Sequence, residues 1–399
     1  MSDETVSRRE WLAVSGLATL AACAGNTTPA SASAGAVAAA QRGESVDDLL
    51  KLASVPGLGI ATIRGGDITV EGFGVRRTGT TDRVTGDTVF EAASLSKPVF
   101  ATAVMQLASE GVIDLTRPLG QYLELPNPAD ERAKLITATH VLSHSGGWRN
   151  WRNNRETALT ADFEPGSRFS YSGEGYYFLQ RVVEKLTGKG LQRLAHERVF
   201  EPLGMRTSSY IWRPELDAAL ASPHSNRGQP IDSHNVRMGK AFEGLAAELG
   251  KPVPEWTGDD VEKAMPRVDA NLPVLPNFLV PNAAASLVTT ARDYGTFVRW
   301  LLGAGPVTGG RAVLDRMMTQ QSTINDALGW GSGLGLERTG GRQYVWHWGD
   351  NPGFKNFIVA EPASGTAMVI FTNGNAGQRV YERVLRSRAG VDHPAFLWL

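Results

Sequence analysis

Phe90-Glu91-Ala92-Ala93-Ser94-Leu95-Ser96-Lys97 (FEAASLSK) sets a hydroxyl and an amine three positions apart, at the head of an apolar stretch that reads as a buried helix. Residues at i and i+3 share a helix face, so the amine of Lys97 reaches the oxygen of Ser94. A free serine hydroxyl is a poor nucleophile at neutral pH and must hand its proton to a neighbour as it attacks. Lys97 can take that proton only while neutral. The apolar residues around it, Phe90, Ala92 and Ala93 before and Val99, Phe100, Ala103, Val104 and Leu107 after, push its pKa down by desolvation. Ser-x-x-Lys occurs once in the chain, with Pro98 suited to a first helical turn and Gly111 to a stop.

The 399 residues, 42% hydrophobic and 20% charged, are enough for one large core or two smaller ones. Forty basic against 41 acidic residues leave a formal net charge of −1, and no long basic run is present, which argues against a nucleic-acid partner.

The N-terminal stretch is set aside from fold reasoning as an export signal and tether. Ser7-Arg8-Arg9-Glu10-Trp11-Leu12 resembles a twin-arginine signal, and the apolar run from Trp11 to Ala22 is shorter than the roughly 20 residues that span a bilayer. It ends in Leu20-Ala21-Ala22-Cys23, which resembles a bacterial lipoprotein cleavage box. Cys23 is the only cysteine, so an internal disulfide is impossible. The expectation is a signal over 1–23 and a flexible tether over 24–44. Cys23 would be lipidated, and the enzyme would be exported to the periplasm or cell envelope on a lipid anchor. A cut near Ala32-Ser33-Ala34, releasing a soluble form, is the alternative.

From residue 45 to about 392 a single domain is expected. A short helix (45–53) precedes two strands (58–64 and 68–75) around the hairpin composition Gly65-Gly66-Asp67. Helices follow at the Ser94 segment, 139–143, 175–187 with Gly188 as cap, and 191–200. Residues 213–281 are poorer in periodic pattern and rich in proline, with short helices at 240–249 and 259–265, and suit a rim. A helix over 290–302, strands at 333–338, 343–348, 355–361 and 366–372, and a helix over 379–388 complete the order. The fold class is therefore α+β: an antiparallel sheet flanked by N- and C-terminal helices, with a mostly helical lobe inserted at about 110–285 and a site between the two.

Six blocks carry a resemblance: FEAASLSK (90–97), THVLSHSGG (139–147), EPGSRFSYSGEGYY (164–177), EPLGM (201–205), NAAASLVTT (282–290) and HWGDNPGF (347–354). They resemble the serine hydrolases related to class C β-lactamases, a group that includes D-alanyl-D-alanine peptidases, D-aminopeptidases and β-lactamase-like esterases. The likeness covers residues 45 to 375 in the family's order, and implies a β-lactamase/transpeptidase-like fold. It implies Ser94 as nucleophile, Lys97 as its proton partner, Tyr171 as the family's Tyr-x-Asn tyrosine and His347 in the place of the Lys of Lys-Thr-Gly. Tyr171, near two cationic groups, would have its phenolate favoured, so that either it or Lys97 could be the base. Gly349 would let substrate lie against the strand, and the N–H groups of Ser94 and Asp350 would form the oxyanion hole. No cofactor or metal is called for.

Two departures bear on substrate. Gly173 stands where an asparagine is common, removing an amide that would bind the acyl group. Trp348 and Asp350 replace small hydroxyl residues that help hold a substrate carboxylate, and a carboxylate beside a carboxylate costs binding. The expected substrate is a small-molecule ester, amide or peptide lacking that carboxylate. A β-lactamase, a D-alanyl-D-alanine carboxypeptidase or a slowly deacylating penicillin-binding envelope protein are the alternatives. Arg149, Arg152 or Arg155 could supply a compensating charge. His140 and His144, at i and i+4, lack the Glu and third ligand of a zinc site and read as structural. Trp148 and Trp151 read as packing residues, in a place that also suits an acyl-pocket wall.

Overall fold

The structure, a computed structural model, describes residues 45–154 and 156–399; the expected signal, tether and Cys23, and also Arg155, lie outside the described residues. An antiparallel eight-stranded sheet runs in the order β2 (Asp67–Gly74), β1 (Gly57–Arg64), β10 (Thr366–Thr372), β9 (Phe354–Glu361), β8 (Arg342–Asn351), β7 (Gly335–Thr339), β6 (Leu328–Trp330), β5 (Ser322–Thr323). The β1–β2 turn needs positive φ at both central residues, and Gly65 and Gly66 supply 58° and 91°. Pairing of β1 with β10 brings N-terminal and C-terminal segments into one sheet, so the mostly helical chain between them is an insertion.

Period-2 alternation gives β1 two apolar faces. Ala61 and Ile63 join the larger core with the helices Ser96–Ser109 and Ala291–Leu301, whereas Leu58 and Ile60 join a second core beneath the helices Val46–Ala53 and Gly377–Ala389. The sheet is thus covered on both faces.

Several elements differ from the sequence expectation. Residues Val288–Thr290 are strand β4, paired with β3 (Val89–Glu91), and Thr290 then caps the Ala291–Leu301 helix by accepting from Asp293 N. The rim helix begins at His234, where Ser233 caps it, because the polar residues of its first turns hide the period. The helix Gly310–Met318 and strand β6 were not expected; β6 has three residues, too few to show alternation. The stretch 191–200 divides into an α-turn and a π-turn. Past residue 392, a short helix (Ala395–Trp398) lays Phe396 against Phe357 and Tyr381, and Trp398 against Trp346 and Trp348.

Candidate active site

β3 delivers the chain to a single 3-10 turn, Ala93–Leu95, which runs into the Ser96–Ser109 helix. Ala93 takes φ 53°, a left-handed conformation that costs a residue with a Cβ on the order of 1 kcal/mol or more. Its surroundings hold it there: Ala92 N donates to Leu287 O (2.7 Å), and Ser96 Oγ donates to Ala93 O (2.6 Å) and accepts from Leu287 N (2.9 Å). Two buried phenols, Tyr294 and Tyr210, donate to the carbonyls of Leu95 (2.8 Å) and Ser96 (2.6 Å). The clamped turn leaves the Ser94 side chain partly exposed.

Lys97 Nζ donates to Ser94 Oγ at 3.0 Å and to Ala284 O at 2.8 Å. The side chain is 1% exposed, and burial drives its pKa well below the usual lysine range. Among the described residues no carboxylate accepts from it, so burial acts without an opposing ion pair.

Tyr171, His144 and His347 complete a buried polar cluster. The Tyr171 ring lies 4.7 Å from Lys97 Nζ, 4.1 Å from the His144 ring and 4.7 Å from the Trp348 ring. Tyr171 as a whole is half-buried, but its hydroxyl is fully so. Burial raises its pKa strongly; the nearby Ser94 hydroxyl partly opposes the rise and the Asp350 charge adds to it. The expected phenolate is therefore disfavoured, because burial outweighs what its neighbours offer the charged form. His347 Nδ1 lies 2.7 Å from the Trp348 carbonyl and must donate to it, which leaves a lone pair on Nε2. Burial first, and the charge of Lys97 second, push His347 down to about 3. His144 has the opposite tautomer: Nδ1 accepts from Ser172 N (3.1 Å), so Nε2 carries the hydrogen. Its pKa lies well below the usual value through burial, then Lys97, then His347. Trp330 floors the cluster, 5.2 Å from both imidazoles.

Tyr171 Oη, His144 Nε2 and His347 Nε2 are all buried, and among the described residues none has a partner at hydrogen-bond geometry, although the Ser94 hydroxyl lies close to Tyr171 Oη. Unpaired buried polar atoms are rare, and three in one cluster beside Ser94 suit a polar guest. His144 is the member that sequence reasoning missed. Its spacing from His140 drew attention to metal binding, whereas His140 closes a capping box with Thr137. Among the described residues no group of three metal-binding side chains gathers. A backbone φ of 54° at His144 is a second sign of constraint.

The remaining expected residues come to the same place, with altered parts. The β7–β8 ladder stops at Trp346, so His347 to Asn351 are paired only to β9 and present an open edge. A Cβ on Gly349 would lie 2.3 Å from Ala92 O: this glycine admits the nucleophile's own loop rather than a substrate. Asp350 is exposed and ion-paired to its cross-strand neighbour Lys355, so it is not a lone carboxylate. Arg149 pairs with Asp162 (3.7 Å), and Arg152 binds the buried Glu174 through Nε (3.0 Å) and Nη2 (3.2 Å), so neither is a free anion receptor. Trp148 packs on Phe178, whereas Trp151 lies over Gly173, whose Cβ would meet the indole at 2.2 Å. Glu91, also unforeseen, is buried and ties Asn235 and Ser233 of the rim to Asn351 of β8. A surface cavity of about 290 Å³ beside Arg64, Arg342 and Arg388 shares no residue with this cluster.

A serine meeting a buried amine that has no carboxylate partner among the described residues has what acyl transfer asks of a nucleophile, and the frame that carries it is that of a serine hydrolase. The chain belongs to the family described as Beta-lactamase, whose model matches residues 44–391. It is 27% identical over 361 residues to penicillin-binding protein 4 of Amycolatopsis lactamdurans, covering 84% of this chain and 85% of that one. It is 27% identical over 257 residues to esterase EstB of Burkholderia gladioli, covering 52% of this chain and 65% of that one. In fold it is similar to the crystal structure of a beta-lactamase/D-alanine carboxypeptidase from Pseudomonas syringae (TM-score 0.65, 17% identity, 85% and 95% of the two chains).

Proposed function

We propose that Ser94 is acylated by ester or amide substrates with Lys97 as base, Tyr171 as proton donor and His347 as a neutral acceptor for substrate. The observation that carries this is the 3.0 Å contact between Ser94 Oγ and a Lys97 Nζ whose burial favours the neutral amine. As Ser94 Oγ bonds to the carbonyl carbon, its proton passes to Lys97 Nζ, and the N–H groups of Ser94 and Asp350 receive the new oxyanion. Collapse breaks the bond to the leaving group, which takes the Tyr171 proton, and Lys97 returns a proton to Tyr171. Water then attacks the acyl-serine, losing a proton to Lys97, and Ser94 leaves with that proton.

The absence of hydroxyls at 348 and 350 favours substrates without a carboxylate beside the scissile bond, and the glycine at 173 favours ones whose acyl group needs no amide partner there. The test is turnover of p-nitrophenyl esters and labelling by a fluorophosphonate. Ser94→Ala is expected to abolish both, and Tyr171→Phe to lower turnover at least about a hundredfold. Retained turnover in Ser94→Ala would refute the assignment.

A second reading is favoured by the similarity to penicillin-binding protein 4: a protein acylated by penicillins that deacylates slowly. Persistent labelling by a fluorescent penicillin, with no ester turnover, would select it. Export on a lipid anchor at Cys23 is proposed from the sequence alone. Labelling with a palmitate analogue that disappears in Cys23→Ala would support the anchor, and a processed but unlabelled protein would favour the soluble form.

A further inference from the structure

We infer that Trp151 and Trp348 form an apolar mouth beside Ser94 that selects substrates with a flat, uncharged acyl group, and that residue 173 is glycine in order to seat Trp151. The inference rests on the serine-hydrolase reading and names the substrate class of that same site.

Gly173 opens the helix Gly173–Thr187, two residues after Tyr171. A Cβ there would lie 2.2 Å from both Cζ2 and Cη2 of Trp151 and 2.6 Å from Cε2, so the indole fills the volume that any side chain at 173 would need. This contact is built rather than incidental. Asn150 accepts from Gly173 N through its Oδ1 (2.8 Å) and from Glu174 N through its carbonyl (2.9 Å). On the other side of Trp151, Arg152 N donates to Glu174 Oε1 (3.0 Å), and the guanidinium binds the same carboxylate, which is 2% exposed. Charge-assisted bonds of this kind hold a loop geometry more firmly than neutral ones. The indole between the two clamps therefore stays in register with the helix end.

Trp151 and Trp348 are both only half-buried, so each keeps an apolar surface facing solvent. Trp348 stands 4.7 Å from the Tyr171 ring and is backed at 5.5 Å by Trp398, so it is braced too. Among the described residues the ions of these segments are paired: Arg149 with Asp162, Arg152 with Glu174, and Lys355 with Asp350. An acyl group that meets these indoles finds ring faces and paired ions. An apolar or aromatic group gains there, while the indole faces give an amide or a charge on the acyl group no hydrogen bond in exchange for its water.

The experiment compares kcat/KM for p-nitrophenyl phenylacetate, acetate and N-acetyl-D-alaninate in the full chain, in Trp151→Ala and in Trp151→Phe. The wild type is expected to favour phenylacetate. Trp151→Ala is expected to lower the phenylacetate-to-acetate ratio by at least about tenfold, the scale of an apolar pocket contact, while Trp151→Phe, which keeps a flat face, retains most of it. A wild type that favours the N-acetyl-D-alaninate ester, or a ratio that survives Trp151→Ala, would overturn the inference while ester turnover still upheld the hydrolase reading. Absence of all turnover together with absence of fluorophosphonate labelling at Ser94 would instead sink the reading beneath it. If Trp151→Ala fails to fold, the Trp151→Phe and Trp151→Leu ratios decide: a lower ratio with leucine than with phenylalanine supports a flat-group site, and equal ratios refute it.

Discussion

The imidazole of His144 packs 4.1 Å from the ring of Tyr171, with its Nδ1 fixed by Ser172 N and its Nε2 hydrogen unclaimed by any acceptor among the described residues. A backbone strained at φ 54° and an unpaired buried donor are two costs at one residue. They are offset if the donor serves substrate, water or the Tyr171 oxygen during turnover.

His144→Asn keeps an acceptor near Nδ1 and loses the distal donor, whereas His144→Gln offers a donor near Nε2 and loses the anchor. If the donor matters, kcat should fall at least about tenfold in His144→Asn and recover in part in His144→Gln, with KM less affected. Equal loss in both variants, matched by equal falls in melting temperature, would mean that His144 only fills space.

The depressed Lys97 pKa and the raised Tyr171 pKa together set the pH profile. Lys97 must be neutral to act as base, so activity is lost as pH falls through its lowered pKa. Tyr171 must be protonated to act as acid, and its raised pKa keeps it so well into the alkaline range. His347, near 3, stays neutral throughout. The expected profile of kcat/KM is one acidic limb, below the ordinary lysine range, followed by an alkaline plateau. An alkaline limb near pH 10, the ordinary range of an exposed phenol, would show that the phenol is not held as argued.

Much of this centre was legible in the sequence because its parts are local. Ser94 and Lys97 share a helix face by spacing alone, and the sheet follows from alternating strands at the two ends of the chain. What depends on long-range packing was not legible. The reason for Gly349 is the carbonyl of Ala92, more than 250 residues away in sequence, and the reason for Gly173 is an indole from a different loop. The state of Tyr171 was misread because proximity to Lys97 suggested charge, whereas shared burial removes the charge from both. His144 was set aside because sequence spacing shows its distance from His140 and not its contact with Tyr171.

Asp350 holds Lys355 in an ion pair at the open end of β8, and Lys355 also donates to Asn351 O (3.3 Å). Exchange of Asp350 for serine removes a carboxylate that would repel a carboxylated substrate and leaves the Lys355 ammonium free to attract one. Acylation by benzylpenicillin should then quicken by about tenfold, on the scale of a single favourable charge contact near a protein surface. Lys355→Gln in the same background should reverse the gain. An unchanged acylation rate in Asp350→Ser would remove this pair from the account of substrate choice.

Gly349 offers the sharpest test of how the sheet aims the nucleophile. An alanine there would place its Cβ 2.3 Å from Ala92 O and 3.0 Å from Asn356 Nδ2, and neither neighbour yields easily. Ala92 is backbone tied to Leu287 O, and the Asn356 amide donates to Glu91 O at 2.9 Å. Relief must come from separating β8 from the Ala93–Leu95 turn, an overpacking cost of about 1–3 kcal/mol. That separation also moves Ser94 away from Asp350 N, so kcat should drop by more than the stability change accounts for, at temperatures where the variant is still folded. Urea unfolding and fluorophosphonate labelling rates measured side by side would show it. A Gly349→Ala variant with normal labelling and a normal urea midpoint would mean that β8 and the serine turn are not the rigid pair described.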